Sequence, residues 1–165
     1  MHLLAAVLIP FDRERAAVRS LMARDAAAFG RLDMLLFRYQ ESPDEARQFM
    51  FDWWALGGRW SGWGREVRAL MTKQRLHLTR RSIPHFLAHN AVFSEDLGRV
   101  RLTSSLLPAA IVTPHGEWKE GAAILPAFGK ATVRQRKAKA AWLRKIRKLM
   151  HAYPDCLAIA VDYHC

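Results

Sequence analysis

The chain has 165 residues, 51% of them hydrophobic and 25% charged, a composition that supports a packed core and excludes a disordered or low-complexity protein. The length suits one domain, 1–165. The formal net charge of +11 predicts polyanionic partners, nucleic acid before an anionic membrane surface.

Leu3 to Ile9 is a continuous apolar run that predicts a buried strand. No basic segment precedes it and Asp12-Arg13 follow at once, so it does not read as a signal peptide. No stretch approaches the roughly 20 apolar residues of a membrane span. Residues 12–29 predict a helix rich in alanine, with Gly30 as its stop. Residues 32–39 predict a second strand. Ser42-Pro43-Asp44-Glu45 has the composition of a helix start. That helix would carry Ala46, Phe49, Met50, Trp53 and Trp54 on one face and end at Gly57-Gly58.

The middle of the chain is less regular. Val67 to Leu78 fits a strand or a helix, Pro84 to His89 a short helix, and residues 99–105 a strand. Leu106 to Thr113 predicts a further strand, and Thr113-Pro114-His115-Gly116-Glu117-Trp118 has the turn chemistry of a hairpin. Residues 130–151 predict one long helix that Pro154 stops, and Leu157 to Asp162 a last buried strand. Strands and helices alternating around a hairpin imply a single-domain α+β sandwich, with a ferredoxin-like core carrying insertions as its specific form. Cys156 and Cys165 are too few for a disulfide framework, which fits a cytoplasmic protein.

Between Lys130 and Lys148 there are nine Lys or Arg residues and no acid. Trp142, Ile146, Leu149 and Met150 form the apolar stripe of that helix, so its remaining faces are almost purely cationic. Like charges four apart destabilise a helix by a few tenths of a kcal/mol each. Arg134, Lys137, Arg144, Lys145, Arg147 and Lys148 are the candidate phosphate contacts on RNA or DNA. The same pattern also describes a solvated amphipathic helix, and an acidic protein partner stays open.

Four of the six tryptophans, Trp53, Trp54, Trp60 and Trp63, lie around Gly57-Gly58-Arg59. Glycines permit a left-handed backbone and close approach of a ligand. An arginine flanked by aromatic rings suits base stacking or a bidentate grip on phosphate. Asp52 sits where it could orient that guanidinium. The plainer reading is a helix end whose tryptophans fill the core.

Asp52-Trp53-Trp54-Ala55-Leu56-Gly57-Gly58-Arg59-Trp60, Thr113-Pro114-His115-Gly116-Glu117-Trp118 and Val161-Asp162-Tyr163-His164-Cys165 occur in that order. Together they resemble the W-D-W-Y-x-I-G-G-R-W, T-P-D-G-x-W and V-D-C-H motifs of a family of small uncharacterised proteins from bacteriophages and integrated elements. Phe51, His115 and Tyr163 depart from that pattern. The resemblance implies a phage or mobile-element context and a shared site, with Trp54, Gly57, Gly58, Trp60, His115 and Trp118 lining a pocket. It implies no reaction.

Asp162 and His164 are two apart on the last strand and share a face. With Asp52, Arg59 and His115 they make a candidate acid–base set, if the fold gathers the motifs. His85 and His89 have one-face helical spacing but no third ligand, so no metal is expected. No phosphate-binding glycine loop, G-x-S-x-G, Cys-x-x-Cys or dinucleotide fingerprint is present, and no cofactor is expected. The functional expectation is nucleic-acid or nucleoprotein binding through the basic helix, without membrane association. The alternatives are an inhibitor of a host defence system acting by protein binding, and a nuclease, phosphodiesterase or nucleotide-modifying enzyme.

Overall fold

A computed structural model of the chain describes residues 1–11, 30–36, 53–81, 83, 87–121 and 132–164. Its frame is a mixed six-stranded sheet with helices, the α+β class. The strands are β1 (His2–Pro10), β2 (Trp53–Leu56), β3 (Ala91–Phe93), β4 (Ala110–Val112), β5 (Trp118–Glu120) and β6 (Cys156–His164). The helices are α1 (Trp63–Lys73), α2 (Ser94–Arg99) and α3 (Val133–Ala152), and residues 30–36 are also helical.

β1 and β6 pair antiparallel along their full length, from His2 opposite His164 to Pro10 opposite Cys156. β4 lies beside β1 in parallel, and β5 returns antiparallel at the edge. The other edge of β6 is shared. β2 covers 161–164 and β3 covers 157–159. Between them the Ala160 N–H donates to the Asn90 carbonyl at 2.8 Å, and its carbonyl accepts from the Gly57 N–H at 2.9 Å. One long strand thus has its backbone satisfied by two short ones.

Both faces of the central strands are apolar, the pattern of strands buried on two sides. Leu4, Ala6, Leu8, Ala158 and Ala160 face a core with Trp63, Val67 and Met71 of α1 and Trp142, Ile146 and Met150 of α3. The alanines let these helices sit close to the sheet. Ala5, Val7, Ile9, Leu157, Ile159, Val161 and Tyr163 face a second core with Leu32, Leu35 and Leu36. Two buried indoles anchor the approach to β4: Trp63 Nε1 donates to the Leu106 carbonyl at 2.9 Å and Trp142 Nε1 to the Pro108 carbonyl at 2.7 Å. These bonds supply partners that buried Trp N–H and loop carbonyl groups both need.

Several expectations change. Residues 30–36 are helical, not a strand, and Leu32, Leu35 and Leu36 bury one helical stripe; Gly30, expected as a helix stop, is itself helical. Trp53–Leu56 is a strand, not a helix end, because the edge of β6 supplies partners that outrank local spacing. The expected strand at 99–105 gives way to the end of α2 and a single 3-10 turn at Ser104–Leu106, and the strand after it shortens to Ala110–Val112. β1 and β4 are direct parallel neighbours, which departs from the ferredoxin-like order, where an antiparallel strand splits each βαβ unit. The helix placed at 12–29 and most of the one placed after Ser42 lie outside the described residues.

Candidate functional site

α3 begins with a capping box: Thr132 Oγ1 accepts from the Gln135 N–H at 3.2 Å, and Gln135 Oε1 accepts from the Thr132 N–H at 2.8 Å. The reciprocal pair satisfies two donors at the helix start. Trp142, Ile146 and Met150 are buried at four-residue spacing. Arg134, Lys137, Arg144, Lys145, Arg147 and Lys148 are all exposed. At 100° per residue, Arg134, Lys137, Arg144, Lys145 and Lys148 fall within roughly 100° of arc, opposite the buried stripe. Lys145 also lies over the Trp142 ring, 5.5 Å from its centroid. Among the described residues none of these six cations has an ion pair. Lys130 lies outside the described residues.

The second feature is a polar corner at the C-terminal end of β6. Asp162 is 1% exposed. Its carboxylate accepts from the Arg59 backbone N–H at 2.9 Å, and lies 3.0 and 3.2 Å from His2 Nδ1. A carboxylate only accepts, so Nδ1 carries the proton, and in the neutral ring Nε2 is the basic atom. The His164 ring meets the His2 ring edge-on, centroids 5.1 Å apart. Strand register explains the grouping: His2 faces His164, and Leu4 faces Asp162.

The double glycine is explained here. Gly57 and Gly58 have φ of 69° and 47°, a region that favours glycine. A Cβ on Gly57 would meet the Asn90 amide at 2.7 Å. One on Gly58 would press into the Asp162 carboxylate, 2.8 Å from its Cγ. Asn90 is buried and accepts the Gly62 N–H at 2.9 Å. The G-G-R and V-D-x-H motifs therefore do meet, one glycine fitted to each buried polar side chain. Arg59 contributes its backbone, while its side chain is exposed.

The third motif does not reach Asp162: its Trp118 ring meets the Tyr163 ring edge-on, centroids 5.1 Å apart, on the other face of the sheet. β4 runs parallel to β1, with Val112 opposite Val7, so the Thr113–Trp118 turn lies toward Pro10. Asp162 is level with Leu4, four residues from the level of Thr113 and so roughly 13 Å away along the strands at about 3.3 Å per residue. The turn itself forms as expected: the Gly116 N–H donates to the Thr113 carbonyl at 2.9 Å and the Glu117 N–H to Thr113 Oγ1 at 3.1 Å. His115 packs against Tyr153, ring centroids 5.9 Å apart, not against Asp162. Trp54 faces Tyr163 and packs with Trp118 into the core on the opposite side of the sheet from Asp162. The expected pocket is thus divided, with Gly57, Gly58 and Trp60 on one side and Trp54 and Trp118 on the other. Asp52 lies outside the described residues.

Sequence reasoning missed His2 and Asn90. His2 is 160 positions from its carboxylate partner, and only the pairing of the first and last strands brings them together. No group of His, Cys, Asp and Glu among the described residues is arranged to hold a metal ion. Comparison with protein-family models, with curated proteins and with solved structures finds no match for this chain. No helix among the described residues is long and apolar enough to cross a membrane.

Two further groups have shifted titration. Burial pushes the Cys156 thiol up to about 11, with the nearby Asp155 charge adding to the effect. Burial lowers the Arg68 guanidinium, and Asp96 partly opposes it. Arg68 donates to the Ala91 carbonyl at 2.7 Å and to the Ala88 carbonyl, closing the loop that carries Asn90.

Proposed function

We propose that the protein binds the phosphate backbone of nucleic acid, free or in a nucleoprotein, through the outer face of α3. The phage or mobile-element setting implied by the three motifs belongs to the same reading. One observation carries it: Arg134, Lys137, Arg144, Lys145, Arg147 and Lys148 are exposed on a helix without an acid, and none has an ion pair among the described residues. Phosphates relieve that repulsion and release counterions. Filter binding of labelled RNA and DNA across salt concentrations tests it. Each phosphate engaged on duplex contributes about −0.9 to the slope of log affinity against log salt. The Arg144/Arg147/Lys148→Glu variant is expected to lose affinity at least about 100-fold at low salt. No binding by the wild type, or unchanged binding by the variant, defeats the proposal. A stoichiometric protein partner that survives nuclease treatment in a pull-down favours a host-protein inhibitor instead.

A second reading is favoured by the Asp162–His2 pair. A carboxylate that orients an imidazole is the usual second half of a general base, and His164 stands beside it. Phosphate-ester cleavage or nucleotide modification is the matching enzyme class. His2→Ala and His164→Ala then abolish turnover of labelled RNA or DNA while near-UV circular dichroism stays native. Turnover retained in both variants removes this reading.

A further inference from the structure

We propose that the C-terminal end of α1 is a second phosphate-contacting site, centred on Arg75 with Lys73 and Arg101 beside it. The proposal rests on the nucleic-acid reading above and enlarges its footprint.

Arg75, with φ 57°, is the only non-glycine residue of positive φ among the described residues. Its N–H donates to the Thr72 carbonyl at 3.0 Å, and the Leu76 N–H to the Met71 carbonyl at 2.9 Å. That paired pattern closes a helix at a position where glycine is the usual occupant, because its lack of a Cβ removes the steric cost. Arginine brings no backbone advantage there. A cation does suit the negative end of a helix dipole, but Lys73 in the same last turn already supplies one. A strained, exposed cation is therefore held where the fold favours glycine, which is the kind of outlier that marks function.

The surroundings connect it to α3. The Gln74 side-chain amide donates to the Arg101 carbonyl at 2.9 Å and accepts from the Arg101 N–H at 2.9 Å. This clamp fixes the segment after α2 against the end of α1. Three residues on, the Ser104 hydroxyl accepts from Lys139 of α3. Three residues of extended chain span at most roughly 10 Å, so the α1 end lies near the N-terminal half of α3. The nearby acids are engaged elsewhere: Asp96 with Arg99 and Thr79, Glu95 with Arg81. Lys73, Arg75 and Arg101 are exposed and have no carboxylate partner among the described residues. Neighbouring phosphates of one strand would bridge them.

Arg75→Gly separates the fold from the function. Relief of strain is expected to raise the unfolding midpoint by about 2–4 °C. Loss of one phosphate contact should reduce the salt slope by about 0.9 on a 20-base-pair duplex or by about 0.7 on a single strand, and the two arms tell which backbone is bound. Arg75→Lys keeps the charge and should keep the wild-type slope. Lys119→Gln is the control: Lys119 sits on the far edge strand and already pairs with Glu117 at 3.2 Å, so its slope should also match the wild type. A steep wild-type slope that Arg75→Gly leaves intact overturns this inference and spares the α3 reading. An equal loss in Lys119→Gln overturns it too, because net charge alone would then explain the effect. Absence of wild-type binding overturns both.

Discussion

The corner around Asp162 and the outer face of α3 treat charge in opposite ways. In the corner one buried carboxylate is met by the Arg59 N–H and His2, and a glycine is fitted against it. On α3 the cations stand in solvent, with no carboxylate facing them among the described residues. A buried charge without partners is strongly destabilising, so the first arrangement is what a fold requires. Exposed cations cost the fold little, so their accumulation on one face is free to reflect a partner.

Mutations that respect or violate this division should separate cleanly. The largest effect on folding is expected for Gly58→Ala, which adds strain at φ 47° and a Cβ against Asp162; urea unfolding should show a loss of about 3 kcal/mol. A loss below about 1 kcal/mol would mean that the corner relaxes easily. Asp162→Asn should follow, at about 1–3 kcal/mol, since it weakens charge-assisted bonds while keeping the shape. On α3 the contrast runs the other way: Arg144/Arg147/Lys148→Glu should hold its unfolding free energy within about 1 kcal/mol while losing polyanion binding. A severe loss of stability would erase the distinction between the two regions.

The smallest effect concerns Cys156. Its thiol is raised to about 11 from an ordinary value of 9.0 by burial and then by Asp155. The folded state therefore holds its proton more tightly than the unfolded state. The contribution to stability is complete below pH 9 and is lost as pH rises toward 11. Thiol-reagent labelling at pH 8 should proceed only after unfolding. Rapid labelling of the native protein at that pH would contradict the burial.

What could be read in advance follows from how local the signal was. β1 and β6 are apolar runs that need no context, and α3 shows its buried stripe and its stop directly. The hairpin at Thr113 was legible from Pro and Gly between extended arms. Trp53–Leu56 was not, because four apolar residues suit either period and only the free edge of β6 decides. Residues 30–36 did carry a helical cue, since Leu32, Leu35 and Leu36 are three and four apart. Of the candidate site, the Arg59 backbone N–H reaches Asp162 and His164 lies two residues on beside His2, whereas His115 packs against Tyr153 and Trp118 meets Tyr163 on the opposite face of the sheet. Adjacency of motifs along a chain says nothing about which end of a strand each one reaches.

The pairing of β6 has a consequence for the order of synthesis. Among the described residues β6 is the strand partner of both β2 and β3, and β6 is made after every other described element. On the ribosome their edges toward β6 wait, unpaired, until residues 156–164 emerge. Strand pairing across such separations is slow and leaves exposed edges prone to aggregation. A nascent chain stalled before Cys156 should therefore resemble a client of chaperones, not a half-built domain.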